Sequence, residues 1–278
     1  MIVSVLRKEA RQNLKGKWKK ALLIMLLFFT VNMLITFFTY WISANTTYGM
    51  FSLILNIVIT VSLNYGLLAS FIRLKRNEKV NCIYPIYYAS KDSEKVWKVI
   101  GRMLLKLSGY IFVWMLSLYL MITEFISLYH GYGMRLSYFI EILCVIIFSV
   151  LISMKMLYYS LNNNVLYDNR KDKAKEILKE SERLIKNHRW DFVKMNLSFT
   201  GWFLLGILFS ASIIAIMFFV FKVQNLYIIY IAYIPLIFLM PYIQITNICF
   251  YDNLVFNNPK PKDSKINNKR TAKKKNKR

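Results

Sequence analysis

Residues that carry chemistry are scarce in this chain. Its 278 residues include three cysteines, Cys82, Cys144 and Cys249. They are too few for a disulfide scaffold, and none is spaced as a metal or redox pair. There are two histidines, His130 and His188. No nucleophile elbow, Walker loop or HExxH pair occurs. Metal-dependent hydrolysis needs clustered ligands, and the sequence shows none. Acid is in short supply too, with 14 Asp+Glu against 38 Lys+Arg and a formal net charge of +24. These absences lead us to expect no catalytic activity, no cofactor and no metal.

Apolar and basic residues are abundant. The chain is 56% hydrophobic and 16% aromatic, above the roughly 45–50% apolar content of soluble domains. That content excludes disorder for most of the chain. A charge this positive suggests nucleic acid or an anionic surface. A large basic soluble domain and a multi-pass membrane protein both remain, and the distribution of charge decides between them.

Six apolar stretches reach the length that crosses a bilayer, about 20 residues. They run approximately over 21–43, 51–74, 103–128, 137–160, 199–221 and 226–250, with no Lys, Arg, Asp or Glu near their centres. Residues 1–20 hold seven basic side chains, residues 73–106 nine, residues 155–194 ten and residues 260–278 ten. The alternate connections hold only Arg135 and Lys222. Basic residues stay cytoplasmic, so the pattern predicts an all-α, six-span protein of a bacterial cytoplasmic membrane with both termini inside. Tyr40, Trp41, Tyr48, Tyr129, Tyr132 and Tyr138 fit aromatic belts at the outer rim. The first apolar run is too long for a signal-peptide core, and no A-x-A site follows it, so we expect an uncleaved first span.

The expected organisation is a basic interfacial segment over 1–20, a membrane domain over 21–255 and a disordered polybasic tail over 256–278. Within it, residues 260–278 have no apolar face and no aromatic residue for base stacking. Anionic lipid headgroups at the cytoplasmic face are therefore its expected partner, and nucleic acid is disfavoured. Trp18, Trp97 and Trp190 each sit in a basic stretch before an odd-numbered span, as interfacial anchors. Two readings are open: three related units, each an interfacial helix leading into a hairpin, or the ordinary attraction of Trp and Lys to cytoplasmic span ends.

Residues 171–193 form the expected amphipathic helix before the fifth span. Ala174, Ile177, Leu178, Ser181, Leu184, Ile185 and His188 share one face. Glu182–Lys186 and Glu180–Arg183 are the expected side-chain pairs, and Asp168 or Asn169 the expected N-cap. The helix lies in the interface or docks on the span ends.

Among intramembrane polar residues, Glu124, His130, Arg135 and Glu141 form the strongest constellation. At about 1.5 Å per residue, both carboxylates lie roughly 6 Å below the outer rim. They suit a cation site or proton relay on the sharp reading, and an interfacial ion pair on the plain one. Asn32, Asn56 and Asn64 read as helix–helix hydrogen-bonding groups.

Two segments, "KAKEILKESERLIKNHRWDFVKMNLSFTGWFLL" and "MPYIQITNICFYDNL", carry a family resemblance. Their pattern residues are Ser181, Leu184, Trp190, Phe192, Leu197, Ser198, Phe199, Gly201, Trp202, Pro241, Tyr242, Thr246, Phe250 and Tyr251. Arg7, Ala10, Leu14, Gly16 and Trp18 extend the pattern to the N-terminus. The chain resembles an uncharacterised family of multi-pass membrane proteins, mainly from Firmicutes, called domain of unknown function 975. That resemblance implies six spans and a bacterial membrane, and implies no reaction. The sequence departs from the pattern at Arg170, where Pro often follows Asp-Asn, and before the fourth span, where Pro-Gly is missing. On physical grounds Ser198 would cap the turn into the fifth span, and Gly201 would permit close helix approach. Pro235 and Pro241 would break the last span, with Gln244, Thr246 and Asn247 satisfying freed carbonyls.

The functional expectation is a non-enzymatic factor with an accessory, envelope-maintenance or self-protection role, with a membrane-protein partner or a second copy of the chain as protein partners. The alternative is a small transporter or channel with its pathway near Glu124, Glu141 and the last span.

Overall fold

A computed structural model describes residues 3–45, 49–130, 136–219 and 234–259. Every described element is a helix: α1 Val3–Leu14, α2 Trp18–Asn45, α3 Gly49–Lys75, α4 Tyr84–Lys91, α5 Ser93–Tyr129, α6 Leu136–Leu157, α7 Asn162–Asp168, α8 Ala174–Ile185, α9 Arg189–Leu197, α10 Thr200–Phe219 and α11 Ile234–Asn257. Five helical stretches are long and apolar enough to cross a membrane: Trp18–Ser43, Gly49–Lys75, Ser93–Ser127, Ser137–Asp168 and Arg189–Met217. They mark a multi-pass membrane protein. Of the sixth expected span, residues 226–233 lie outside the described residues, as do residues 260–278 of the tail. The chain forms two compact units, one of residues 1–91 with 190–278 and one of residues 92–189.

In the first unit, α1 buries Leu6, Ala10 and Leu14, residues four apart on one face. Gly16 turns the chain into α2 at a φ of 78°, a left-handed conformation that glycine adopts without penalty. The end of α3 is closed by Asn77 at φ 59°. Its N–H donates to the Leu74 carbonyl, and the Glu78 N–H donates to the Arg73 carbonyl. That pair of bonds is a Schellman closure, with asparagine in the place glycine usually takes. Burial in this unit concentrates toward the basic ends of the helices. Tyr65, Ala69, Phe71 and Ile72 of α3, and Ile248, Cys249 and Phe250 of α11, are wholly buried. Between α2 and α3, Asn56 donates to Thr39 Oγ1 at 3.0 Å. Asn32 and Asn64 instead donate to carbonyls of their own helices, those of Phe28 and Thr60.

α4 returns along α3 and touches it backbone to side face at Gly66. A Cβ there would lie 1.9 Å from the Pro85 carbonyl oxygen. Gly201, which the sequence offered as the close-approach glycine, has nothing within 4 Å among the described residues. α11 runs as one helix through Pro241, and Pro235 stands at the edge of the described residues. Thr246 donates to the Tyr242 carbonyl at 2.7 Å, so its hydroxyl back-bonds within the helix rather than covering a break.

In the second unit, α5 and α6 form a long hairpin tied by Trp114 Nε1 donating to Ser149 Oγ at 2.8 Å. α5 begins at Ser93, ten residues before the predicted span, so Trp97 lies inside the helix. The predicted 171–193 helix is two helices, α8 and α9, parted by a turn in which the His188 N–H donates to the Ile185 carbonyl. Within α8, Ile177, Leu178, Ser181, Leu184 and Ile185 are buried, and α8 packs on α5 and α7. Its N-cap is Lys173, whose N–H donates to the Glu176 carboxylate at 3.2 Å. Asp168 and Asn169 close α7 instead. Glu180 takes both hydrogen bonds of the Arg183 fork at 2.9 Å, which holds that guanidinium more firmly charged. Glu182 faces Lys106 at 4.0 Å, leaving the expected pairing with Lys186 unformed. Arg170, the departure from the family pattern, lies 3.6 Å from the carboxylate of buried Asp92 and stacks on Tyr167.

Gly66→Ala is expected to destabilise the protein by about 1–3 kcal/mol or more, because backbone rather than a yielding side chain blocks the new methyl. Gly201→Ala is expected to be neutral or stabilising by up to about 1 kcal/mol. Thermal unfolding in one detergent separates the two, and equal Tm values would refute the packing of α4 on α3.

Candidate functional site

The four residues singled out between the third and fourth spans are distributed unevenly. Glu124 on α5 and Glu141 on α6 are both half-buried. Ser137 donates to Glu124 Oε1 at 3.3 Å. Glu141 Oε2 is buried without a hydrogen-bond partner among the described residues. His130 is exposed just beyond α5, and Arg135 lies outside the described residues.

A denser constellation, which the sequence reading missed, lies where α1, the C-terminal end of α3 and the C-terminal part of α11 meet. Lys75 ends α3 with its side chain only 10% exposed. Burying an ammonium requires compensating charge, and two carboxylates supply it. Asp252 of α11 lies at 2.7 Å and Glu9 of α1 at 3.3 Å. Arg76 approaches the other Asp252 oxygen at 3.6 Å. Asn253 donates to Glu9 Oε2 at 3.2 Å, and Asn13 reaches the Cys249 sulfur at 3.9 Å. Lys17 adds a further tie by donating to the Leu74 carbonyl at 3.0 Å, and desolvation lowers its pKa from the ordinary lysine value. This cluster joins three helices through ion pairs and amide hydrogen bonds.

Beside it lies a second constellation, built from pattern residues at both ends of the chain. Arg7 donates through Nη2 to the Ser198 carbonyl at 2.6 Å, and its guanidinium covers the Phe199 ring at 4.8 Å. Phe199 meets Tyr242 edge-on at 5.4 Å, and the Tyr242 hydroxyl donates to the Arg7 carbonyl at 3.3 Å. Phe192 packs on Phe250 at 5.5 Å. The Ser198 hydroxyl donates to the Met195 carbonyl at 2.6 Å, so it finishes α9 rather than capping α10. Leu197, Trp190 and Trp202 are exposed, as is Trp18 more modestly. Trp97 is half-buried. Ser181, Leu184 and Tyr251 are buried, with Ser181 donating to the Tyr158 carbonyl at 2.9 Å.

These polar groups largely satisfy one another. No group of three or more His, Cys, Asp or Glu able to hold a metal occurs among the described residues. The one signal that pointed to the lysine cluster is positional. Glu9 and Asp252 are isolated acids in basic, cytoplasm-like flanks, and such acids seek partners.

Asp252→Asn is expected to cost about 1–2 kcal/mol, since the pair is partly exposed and Glu9 remains. Lys75→Met on that background is expected to cost less than it does alone, giving a coupling of about 0.5–2 kcal/mol in a double-mutant cycle. Additive losses in Tm-derived stability would show that the ion pair does not hold the helices together.

No curated protein and no solved structure matches the chain. A family model described as "Protein of unknown function (DUF975)" matches residues 1–258. With the match covering all but the last 20 of 278 residues, the chain belongs to that family.

Proposed function

We propose that this is a six-span, non-enzymatic factor of a bacterial cytoplasmic membrane, with both termini and the two long connections inside. In this reading it works as an accessory, envelope-maintenance or self-protection protein. The observation that carries the proposal is the use made of the polar residues where α1, α3 and α11 meet. Glu9, Lys75, Asp252 and Asn253 bind each other, and Arg7 ties α1 to Ser198 and Phe199 through one of its nitrogens and its plane. A reaction centre aims its polar groups at a substrate, whereas these groups fasten helices into a platform. The charge distribution supports the orientation, and the basic tail adds contact with anionic lipid worth about 1 kcal/mol per Lys or Arg near the surface.

One observation favours a second reading, a small transporter or channel. Glu141 Oε2, buried and without a hydrogen-bond partner among the described residues, is the kind of intramembrane acid that marks ion pathways.

Purified protein in liposomes separates the two. The accessory reading expects no ion or solute flux above empty vesicles, and a stable protein partner on gentle solubilisation. Flux that Glu124→Gln or Glu141→Gln abolishes would establish the transporter reading instead. Orientation is tested by Thr47→Cys in intact cells, which an impermeant maleimide is expected to label from outside. Labelling only after the membrane is opened would reverse the topology.

A further inference from the structure

A groove of about 890 Å³ runs along the first unit between α1, the start of α2, α10 and α11. That volume lies within the ~300–1,000 Å³ that ligand sites occupy. Its walls differ along its length. Leu205, Phe209, Phe238 and Leu239 line an apolar part, while Arg7 and Arg11 stand at the α1 side with Trp18 and Trp202. Arg11 and Trp18 also line a second hollow of about 740 Å³, shared with Lys8 and Lys15. An apolar slot and a basic hollow therefore meet at one arginine and one tryptophan.

The charge here is uncompensated. The lysine cluster on the opposite part of α1 uses the nearby acids, Glu9 and Asp252, for Lys75. Among the described residues, neither Arg7 nor Arg11 has a carboxylate partner. The Arg7 guanidinium spends Nη2 on the Ser198 carbonyl, and its buried Nε has no acceptor. Phe199 beneath the guanidinium plane fixes its orientation. Arg11 is exposed one helical turn further on, so the two guanidinium groups rise from one face of α1. Guanidinium pairs of this kind match phosphate oxygens, and tryptophan indoles sit where headgroup meets acyl chain.

We propose that the groove binds one anionic glycerophospholipid, with its phosphate at Arg7 and Arg11, its headgroup over Lys8 and Lys15, and an acyl chain along Leu205, Phe209 and Phe238. This goes beyond the platform reading and rests only on that reading's placement of α1 at the cytoplasmic face. A water-soluble anion would leave the apolar slot unfilled. A zwitterionic lipid would leave the arginine and lysine charges uncompensated. The anionic lipid satisfies both halves.

The experiment is native mass spectrometry of the full-length protein, purified in detergent and exchanged with phosphatidylglycerol or phosphatidylcholine. The wild type is expected to retain one phosphatidylglycerol and to release phosphatidylcholine. Arg11→Gln, which removes charge without touching the Ser198 contact, is expected to weaken retention about fivefold. Ser212→Phe, which fills the apolar slot and changes no charge, is expected to abolish it. Lys175→Gln with Lys179→Gln on exposed positions of α8 removes more charge and is expected to leave retention intact. Equal retention of both lipids, retention unchanged in Arg11→Gln and Ser212→Phe, or equal loss in the α8 control would overturn the proposal. So would glycerol phosphate binding as tightly as the whole lipid. Because lipid is read directly on the purified protein, absence of a protein partner leaves this result standing, and a lipid-free protein leaves the platform reading standing.

Discussion

In a bilayer, apolar side chains gain nothing by leaving lipid for a neighbouring helix, so long apolar helices need other reasons to associate. Here one reason is the Lys75 ammonium. Its side chain is largely buried at the end of α3, and it draws Asp252 from α11 and Glu9 from α1. Once those three helices are joined, the surrounding apolar residues can close. Leu6, Ala10 and Leu14 of α1 are buried in the same unit as Phe71, Ile72, Ile248 and Phe250. The arrangement explains why burial is greatest near the basic ends while many residues in the middle of α2, α10 and the outer half of α3 remain exposed. Exposed leucine and phenylalanine on these helices are not a flaw of packing; they face the solvent that suits them.

The α1 helix has two jobs in this arrangement. Its Leu6, Ala10 and Leu14 stripe is buried, and Glu9 and Asn13 serve the ion-pair cluster. Arg7 and Arg11 border the groove. A twelve-residue helix thus connects structural and candidate binding roles, with Arg7 belonging to both through its Ser198 bond. The division follows from helical geometry, since residues three and four apart share a face. The residues that carry the resemblance in the sequence meet through the same contacts. Arg7, Ser198, Phe199 and Tyr242 are far apart in the chain and adjacent in space.

Much was legible in advance where the signal was local. The face of α8 follows a helical period, and Ile177, Leu178, Ser181, Leu184 and Ile185 are buried accordingly. The Glu180–Arg183 pair needed only one turn of helix. The misreadings were places where a local rule met a competitor. Helix 171–193 is interrupted at Lys186–His188, where the His188 N–H turns back to the Ile185 carbonyl. Asn32 and Asn64 found carbonyls in their own helices, while Asn56 found Thr39 across the hairpin. All three are asparagines in apolar helices, and rotation about the helix axis decides which of them faces a neighbour. Gly66 and Gly201 differ for the same reason.

By itself the sequence determined that the protein consists of long apolar helices with almost all basic charge at alternate ends. Hydropathy and charge act segment by segment, so they can be read without knowing what any segment touches. Only the tertiary structure decided which polar residues meet. Lys75 and Asp252 lie 177 positions apart, and Arg7 and Ser198 lie 191 apart. Such pairs depend on how helices rotate and where their ends come level, and that is a property of packing rather than of composition. The same packing placed Arg7 and Arg11 beside an apolar slot, turning charge that read only as orientation into a candidate lipid site.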